Sequence, residues 1–247
     1  MRRVTIVTGA ASGIGLGVSQ WFAAKGHRVA MMDRNGDEVR AASDTLNARG
    51  FDTRPFTVDV ADRDQVKAAV AETRQVFGPI ELLIANAGIS EYKPFVEMTV
   101  AEWQRMLDVN LTGMFHCIQL AIPDMIAAKW GRIVTISSMS AQVGAPSMAH
   151  YSASKGGVTS LTKAVAREFA ELGITANTIP PAIVYTGLSR RTEVDGSNPR
   201  IDAMVQGVPL KRIGMPEDIA SACDWLCSDH AGYVTGQEIN VNGGMYS

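Results

Sequence analysis

The sequence is poor in several features that would otherwise decide its class. It has three cysteines in 247 residues, an odd number, with Cys223 and Cys227 four apart on a predicted helix and Cys117 in another apolar helix. That spacing suits reduced core thiols and argues against a disulfide framework. Without a Cys/His cluster at ligand spacing, no metal site is expected. An excess of either charge is also missing: 23 basic and 25 acidic residues give a net charge of −2 and leave no clustered basic face for nucleic-acid phosphates. Apolar runs are broken by Gly, polar or charged residues before the ~20 residues that a membrane span needs. The opening MRRVTIVTGAASGIGLG imitates a signal peptide, but Thr5, Thr8 and Ser12 interrupt it, and its glycine spacing fits a strand and turn. Together these absences predict a cytoplasmic protein without nucleic-acid or membrane partners.

What is present is a packed chain, 46% hydrophobic, in which short β-branched runs alternate with stretches of helical period. Strands are predicted at 4–8, 28–33, 53–59, 81–88, 131–138, 174–180 and 237–241. Helices are predicted at 14–25, through Leu46, at 62–77, 99–129 and 151–172, and at 216–227. The strands lack clean polar alternation, which indicates burial on both faces. Repeated βα units with right-handed crossovers predict an α/β protein with a Rossmann fold: a doubly wound, seven-stranded parallel sheet with helices on both faces. With neither a linker nor a repeat, residues 1–247 read as a single domain, with a turn-rich lid at about 181–209.

The first strand runs into Thr8-Gly9-Ala10-Ala11-Ser12-Gly13-Ile14-Gly15, where a helix opens. Glycines at such a turn let backbone approach a pyrophosphate and aim the positive helix N-terminus at it. The spacing GxxxGxG departs from the commoner GxGxxG, and no Lys-Ser/Thr pair follows, which excludes a phosphate-loop NTPase. Asp33 ends the second strand eighteen residues after Gly15, near the spacing at which an acidic side chain accepts from the adenosine ribose hydroxyls. It favours NAD, whereas Arg34 beside it would suit the 2′-phosphate of NADP.

Tyr151 and Lys155 are four apart on a predicted helix and share a face. An ammonium beside a phenol of ordinary pKa about 10 is expected to favour the phenolate, which makes Tyr151 an acid/base candidate. Ser138 ends the fifth strand, where sheets of this type place ligands. His150 invites a Ser/His hydrolase reading, but the sequence has no G-x-S-x-G elbow.

TGAASGIG, Asp59-Val60, Asn86-Ala87-Gly88, Asn110, Ser138 and Tyr151-Ser152-Ala153-Ser154-Lys155 together resemble the classical short-chain dehydrogenase/reductase family, in order and spacing and over essentially the whole chain. The pattern is nearest to its 3-oxoacyl-[acyl-carrier-protein] reductase-like members, through the terminal VTGQEINVNGGMY. The resemblance implies hydride transfer between a nicotinamide cofactor and a secondary alcohol or ketone. Tyr151 would be the proton donor or acceptor, Lys155 would lower its pKa and bind the nicotinamide ribose, Ser138 would orient the substrate oxygen, and Asn110 would hold a relay water.

For the cofactor, the resemblance implies Gly9, Ser12, Gly13, Ile14, Gly15, Asp33, Arg34, Asp59, Val60, Asn86, Ala87, Gly88, Tyr151, Lys155, Pro181, Val184 and Thr186. Two departures, Ala182 in place of the family's usual Gly and Tyr185, fall where substrate is selected. Ser138, Met139, Ser140, Val143, Met148, Tyr151, Ala182, Ile183, Tyr185 and Leu188, with Met204 further on, are expected to line an apolar substrate pocket for an uncharged, hydrophobic molecule. Arg190 and Arg191 offer an anionic alternative. Two other functions are weighed: an NADPH-dependent 3-oxoacyl-[acyl-carrier-protein] reductase, and a non-catalytic nucleotide-binding regulatory protein. A homotetramer or homodimer is implied.

Overall fold

Short runs of Val, Ile, Leu and Met leave no polar face for solvent, and the structure buries them between two helical layers. The computed structural model describes residues 2–185 and 205–246. Strands β1 (Val4–Thr8), β2 (Arg28–Asp33), β3 (Asp52–Thr57), β4 (Leu82–Ala85), β5 (Gly131–Ile136) and β6 (Ile174–Ile179) form one sheet in the order β3-β2-β1-β4-β5-β6, with every neighbouring pair parallel. β1, β4, β5 and β6 are buried at every residue, their threonines, Arg132 and Asn177 included, whereas edge strand β3 exposes Arg54 and Thr57.

Helices α1 (Gly13–Ala24), α2 (Gly36–Ala48) and α8 (Pro216–Cys227) cover one face through Val18, Phe22, Val39, Leu46, Ile219 and Leu226. Helices α3 (Arg63–Phe77), α4 (Val100–Leu107), α5 (Gly113–Ala128), the short α6 (Ser140–Val143) and α7 (Ala149–Phe169) complete the labelled set. Of these, α3, α5 and α7 bury Val66, Phe77, Met114, Ile118, Met125, Val158 and Val165 against the other face. The chain leaves β1 towards β2 and later returns to β4 on β1's other side. A crevice opens at such a reversal, outside the carboxyl ends of the strands.

Two expectations are modified. Residues 237–241 run beside β6 through a single parallel bridge: Thr178 N–H donates to Gln237 O at 2.9 Å, and Ile239 N–H donates to Thr178 O at 2.9 Å. The side chain of Asn242 then accepts from Gly244 N–H at 3.0 Å, and Gly243 and Gly244 take positive φ, so the tail curls away before a seventh strand can lengthen. The 100–128 helix is long and apolar enough to cross a membrane, contrary to the count of broken runs. Much of that apolarity is spent on the sheet, where Met114, Cys117, Ile118, Ala121 and Met125 are buried. All three cysteines are buried and free, and burial pushes the Cys117 thiol up to about 12, which removes it as a nucleophile at neutral pH.

Candidate active site

The glycine turn begins with backbone geometry. Gly9 has φ +65 and Gly13 φ +54, a region L side chains rarely adopt. Gly15 is required by space, since a Cβ there would stand 2.0 Å from the Gly9 carbonyl oxygen. α1 therefore starts hard against the turn. Its N-cap Ser12 makes no side-chain capping bond, and no acidic residue occupies the first turn. The first N–H groups of the helix face the crevice with nothing anionic on α1 to satisfy them, which suits a phosphate.

Thr8, which the sequence reading passed over as a site residue, locks this turn to the end of β4. Its buried hydroxyl accepts from Asn86 N–H and Ala87 N–H, both at 3.0 Å, and Asn86 Nδ2 donates back to Thr8 O at 2.9 Å. Asn86 thus has a positioning contact as well as a place on the cleft wall. At the end of β2 the Asp33 carboxylate accepts from Ala11 N–H at 3.0 Å and from Asn35 N–H at 2.9 Å, tying β2 to the same turn.

Asn110 is reached by a distortion. Between α4 and α5 the helix passes through a π turn, Asp108–Thr112, whose extra residue re-aims the side chains. Asn110 is fully buried there. Its Oδ1 accepts from Ile89 N–H at 2.8 Å, and its Nδ2 donates to Ile89 O at 3.0 Å and Ser154 Oγ at 3.1 Å. A Cβ added to Gly88 would lie 3.1 Å from Asn110 Oδ1 and 3.3 Å from Lys155 Nζ, so the amide and the ammonium flank one glycine.

A ladder of hydroxyls fixes α7 on β5. Thr135 pairs with Thr162 at 2.8 Å, Ser137 donates to Lys155 O at 2.9 Å, and Thr159 donates to Ser137 at 3.2 Å. This register brings Ser138, one residue further on, to Tyr151, and the two side chains hydrogen-bond. Ser138 Oγ also accepts from Ser140 Oγ at 2.9 Å and from Ser140 N–H at 3.2 Å.

The electrostatics correct the expected influence of lysine on tyrosine. The Tyr151 pKa is raised, chiefly by burial, with the Ser138 hydrogen bond pulling it down and nearby Tyr92 pushing it up. Burial lowers Lys155 to about 8. Its Nζ donates to Ile136 O at 2.8 Å and lies 5.9 Å from the centre of the Tyr151 ring. Desolvation outweighs charge attraction because the ammonium is engaged by backbone rather than by the phenol.

These groups share a cleft of about 510 Å³ whose wall includes Gly9, Ser12, Gly13, Ile14, Asp33, Arg34, Asn86, Gly88, Ser138, Tyr151, Lys155, Pro181, Ala182 and Val184. A smaller slot of about 80 Å³ adjoins it, formed by Asp59, Val60 and Ala87 together with Gly9, Asp33, Arg34 and Gly88. Glu38, Ile89 and Ser90 also line the cleft, and the sequence reading named none of them.

Among the described residues, part of the expected substrate wall lies away from this cleft. Ile183 lines a separate cavity with Val208, Leu210 and Arg212, because Gly214 N–H donates to Ile183 O and draws this strand of chain towards α8. Val143 is 53% exposed at the end of α6, and Met148 is buried. Met139, Ser140 and Tyr185 also stand off the cleft wall: Met139 N–H is bonded to Pro181 O, Ser140 lies behind Ser138, and Tyr185 N–H is bonded to Gly214 O. Thr186, Leu188, Arg190, Arg191 and Met204 lie outside the described residues.

A nicotinamide dinucleotide fits this site on three observations: a turn whose glycines no Cβ can replace, an uncapped helix N-terminus behind it, and a carboxylate at the end of β2. A doubly wound parallel sheet with that turn at its reversal and a Ser-Tyr-Lys set across the cleft defines a nucleotide-dependent oxidoreductase.

Comparison with known proteins narrows the class. Residues 9–246 match the family model described as enoyl-(acyl carrier protein) reductase. The chain is 38% identical over 247 residues to a 3-oxoacyl-[acyl-carrier-protein] reductase of Staphylococcus aureus, covering 100% of this chain and 99% of that one. It is 37% identical over 246 residues to an acetoacetyl-CoA reductase of Cupriavidus necator, with 99% and 98% covered. A solved structure, that of gox2181, superposes with a TM-score of 0.93 at 35% identity, covering 99% of this chain and 95% of that chain. The chain belongs to the short-chain dehydrogenase/reductase family, and it is an NAD(P)-dependent oxidoreductase acting on CH–OH groups.

Proposed function

We propose that this single-domain protein interconverts a ketone and a secondary alcohol, with NAD as the preferred cofactor and an uncharged, hydrophobic molecule as substrate. The observation that carries the reading is the Ser138–Tyr151 hydroxyl pair facing the glycine turn across one cleft, with Lys155 on the same helix face. The bound cofactor supplies or accepts hydride. Ser138 donates a hydrogen bond to the substrate oxygen and holds it beside the Tyr151 phenol. Tyr151 gives its proton to that oxygen in reduction and takes it back in oxidation. Its raised pKa keeps the phenol protonated at neutral pH, the form that reduction needs. Lys155 passes on the proton that restores Tyr151, drawing it from solvent through a water held by Asn110, the two side chains both lying beside Gly88. Asp33 lines the cleft with a carboxylate that would accept from the adenosine ribose hydroxyls, which supports NAD over NADP.

The names of the relatives favour a second reading, a 3-oxoacyl thioester, which is itself an uncharged ketone. Lys129 could meet an acidic carrier protein, but the chain after α7 runs Glu171-Leu172-Gly173, without a base to share the contact. Assays of neutral ketones, acetoacetyl-CoA and a 3-oxoacyl carrier protein, each with NADH and NADPH, separate the readings. Turnover of simple hydrophobic ketones with NADH supports the first, and turnover restricted to carrier-bound substrate with NADPH replaces it with the second. The cytoplasmic location and the association into dimers or tetramers are part of the same proposal, and light scattering of the purified chain tests the latter.

A further inference from the structure

We propose that Glu38 is a second cofactor-discriminating residue, acting with Asp33 to disfavour a phosphate on the adenosine ribose by offsetting Arg34. The inference rests on the nicotinamide-dinucleotide reading of the cleft. α2 opens with Asn35 as N-cap, whose Oδ1 accepts from Glu38 N–H at 3.3 Å. A Glu three residues after its N-cap ordinarily folds its side chain back to the N-cap N–H. The chain does this at α4, where Glu102 Oε2 accepts from Thr99 N–H at 2.8 Å. At α2 that donor is taken, since Asn35 N–H gives its hydrogen to Asp33 Oδ1.

Glu38 is thereby released from capping. Its carboxylate has no hydrogen bond or ion pair among the described residues, and it lines the cleft that Asp33 and Arg34 also line. Arg34 likewise has no ion pair among the described residues, and alone it would form a clamp for an added phosphate. Two carboxylates against one guanidinium leave this end of the cleft with a net charge of about −1, in partly exposed surroundings where repulsion of a phosphate dianion is real but sensitive to salt.

The test is direct binding without substrate: fluorescence titration of NADH and NADPH into wild type and Glu38→Gln at low and high salt. Because the side chain caps nothing, the variant should keep its thermal midpoint and bind NADH within about twofold of wild type, while NADPH binding tightens about fivefold at low salt. The NADPH-to-NADH ratio of dissociation constants should fall with salt in the wild type and change less in the variant. An unchanged ratio at low salt, or equal changes in both cofactors, would overturn the proposal. The wild-type preference is a separate readout: tighter NADPH binding by the wild type would defeat the NAD reading, whereas the change in ratio on substitution decides the role of Glu38.

Discussion

Lys155 is a cation held out of water, only 3% exposed, and its cost is visible in its pKa of about 8. The unfolded chain binds this proton up to about pH 10.4. The penalty for burying the charge is therefore fully present below about pH 8 and is relieved as the pH rises towards 10.4, so this group makes stability increase with pH across that window. Lys155→Met should accordingly be more stable than wild type at pH 7, by roughly 3 kcal/mol at most, and the gap should narrow by pH 9.5. Urea unfolding at the two pH values checks the sign, and a gap that widens with pH would refute it. Tyr151→Phe removes the transferable proton and leaves the ring. It should lower kcat about 10³-fold while NADH affinity stays within about twofold, measured by steady-state kinetics and fluorescence titration. Unchanged turnover would instead show that a group other than Tyr151 supplies the proton. Both residues were legible in the sequence because their four-residue spacing on one helix is local. The direction of the Tyr151 shift was not, because desolvation depends on everything packed around the ring.

At the scale of elements, the hydroxyl ladder between β5 and α7 does the aligning. Thr135 and Thr162 are both buried and bonded to one another. Replacing Thr162 by Val strands the Thr135 hydroxyl, at a cost of about 1–3 kcal/mol, whereas Thr162 keeps its bond to Val158 O when Thr135 is replaced, and replacing both should cost less than the sum. A double-mutant cycle by urea denaturation measures that coupling, and strict additivity would show that the pair does not act as one. Asn110→Ala should be damaging as well, because it leaves the N–H and C=O of Ile89 without their partner; a loss of about 2 kcal/mol is expected in the same assay. The sequence showed the helices here to within a few residues. It did not show the π turn, which no periodicity over a short window announces, or the departure of Ile183 from the cleft, which depends on a bridge to Gly214 far along the chain.

Across the whole molecule, the two ends of the sheet have different tasks. Opposite the cleft, the Trp130 ring packs against the guanidinium groups of Arg3 at 3.5 Å and Arg132 at 4.4 Å, and Arg3 also binds Glu81. Trp130→Leu should cost about 2–4 kcal/mol of stability by losing area and both cation–π contacts, yet leave NADH affinity and KM unchanged. A large change in either kinetic quantity would show that the ends are coupled. The parallel, doubly wound sheet followed from βα alternation, whereas the strand order and the shortening of the seventh strand by the Asn-Gly-Gly tail needed coordinates. The π turn has one more consequence. An inserted residue rotates everything after it by about 100° around the helix axis, so α4 and α5 present their apolar stripes in different directions. Were the turn to relax to a regular helix, Met114, Ile118 and Met125 would swing out of the core. The irregularity that delivers Asn110 is thus held in place by the burial of α5, and a chain losing one residue there would face a choice between its site and its core.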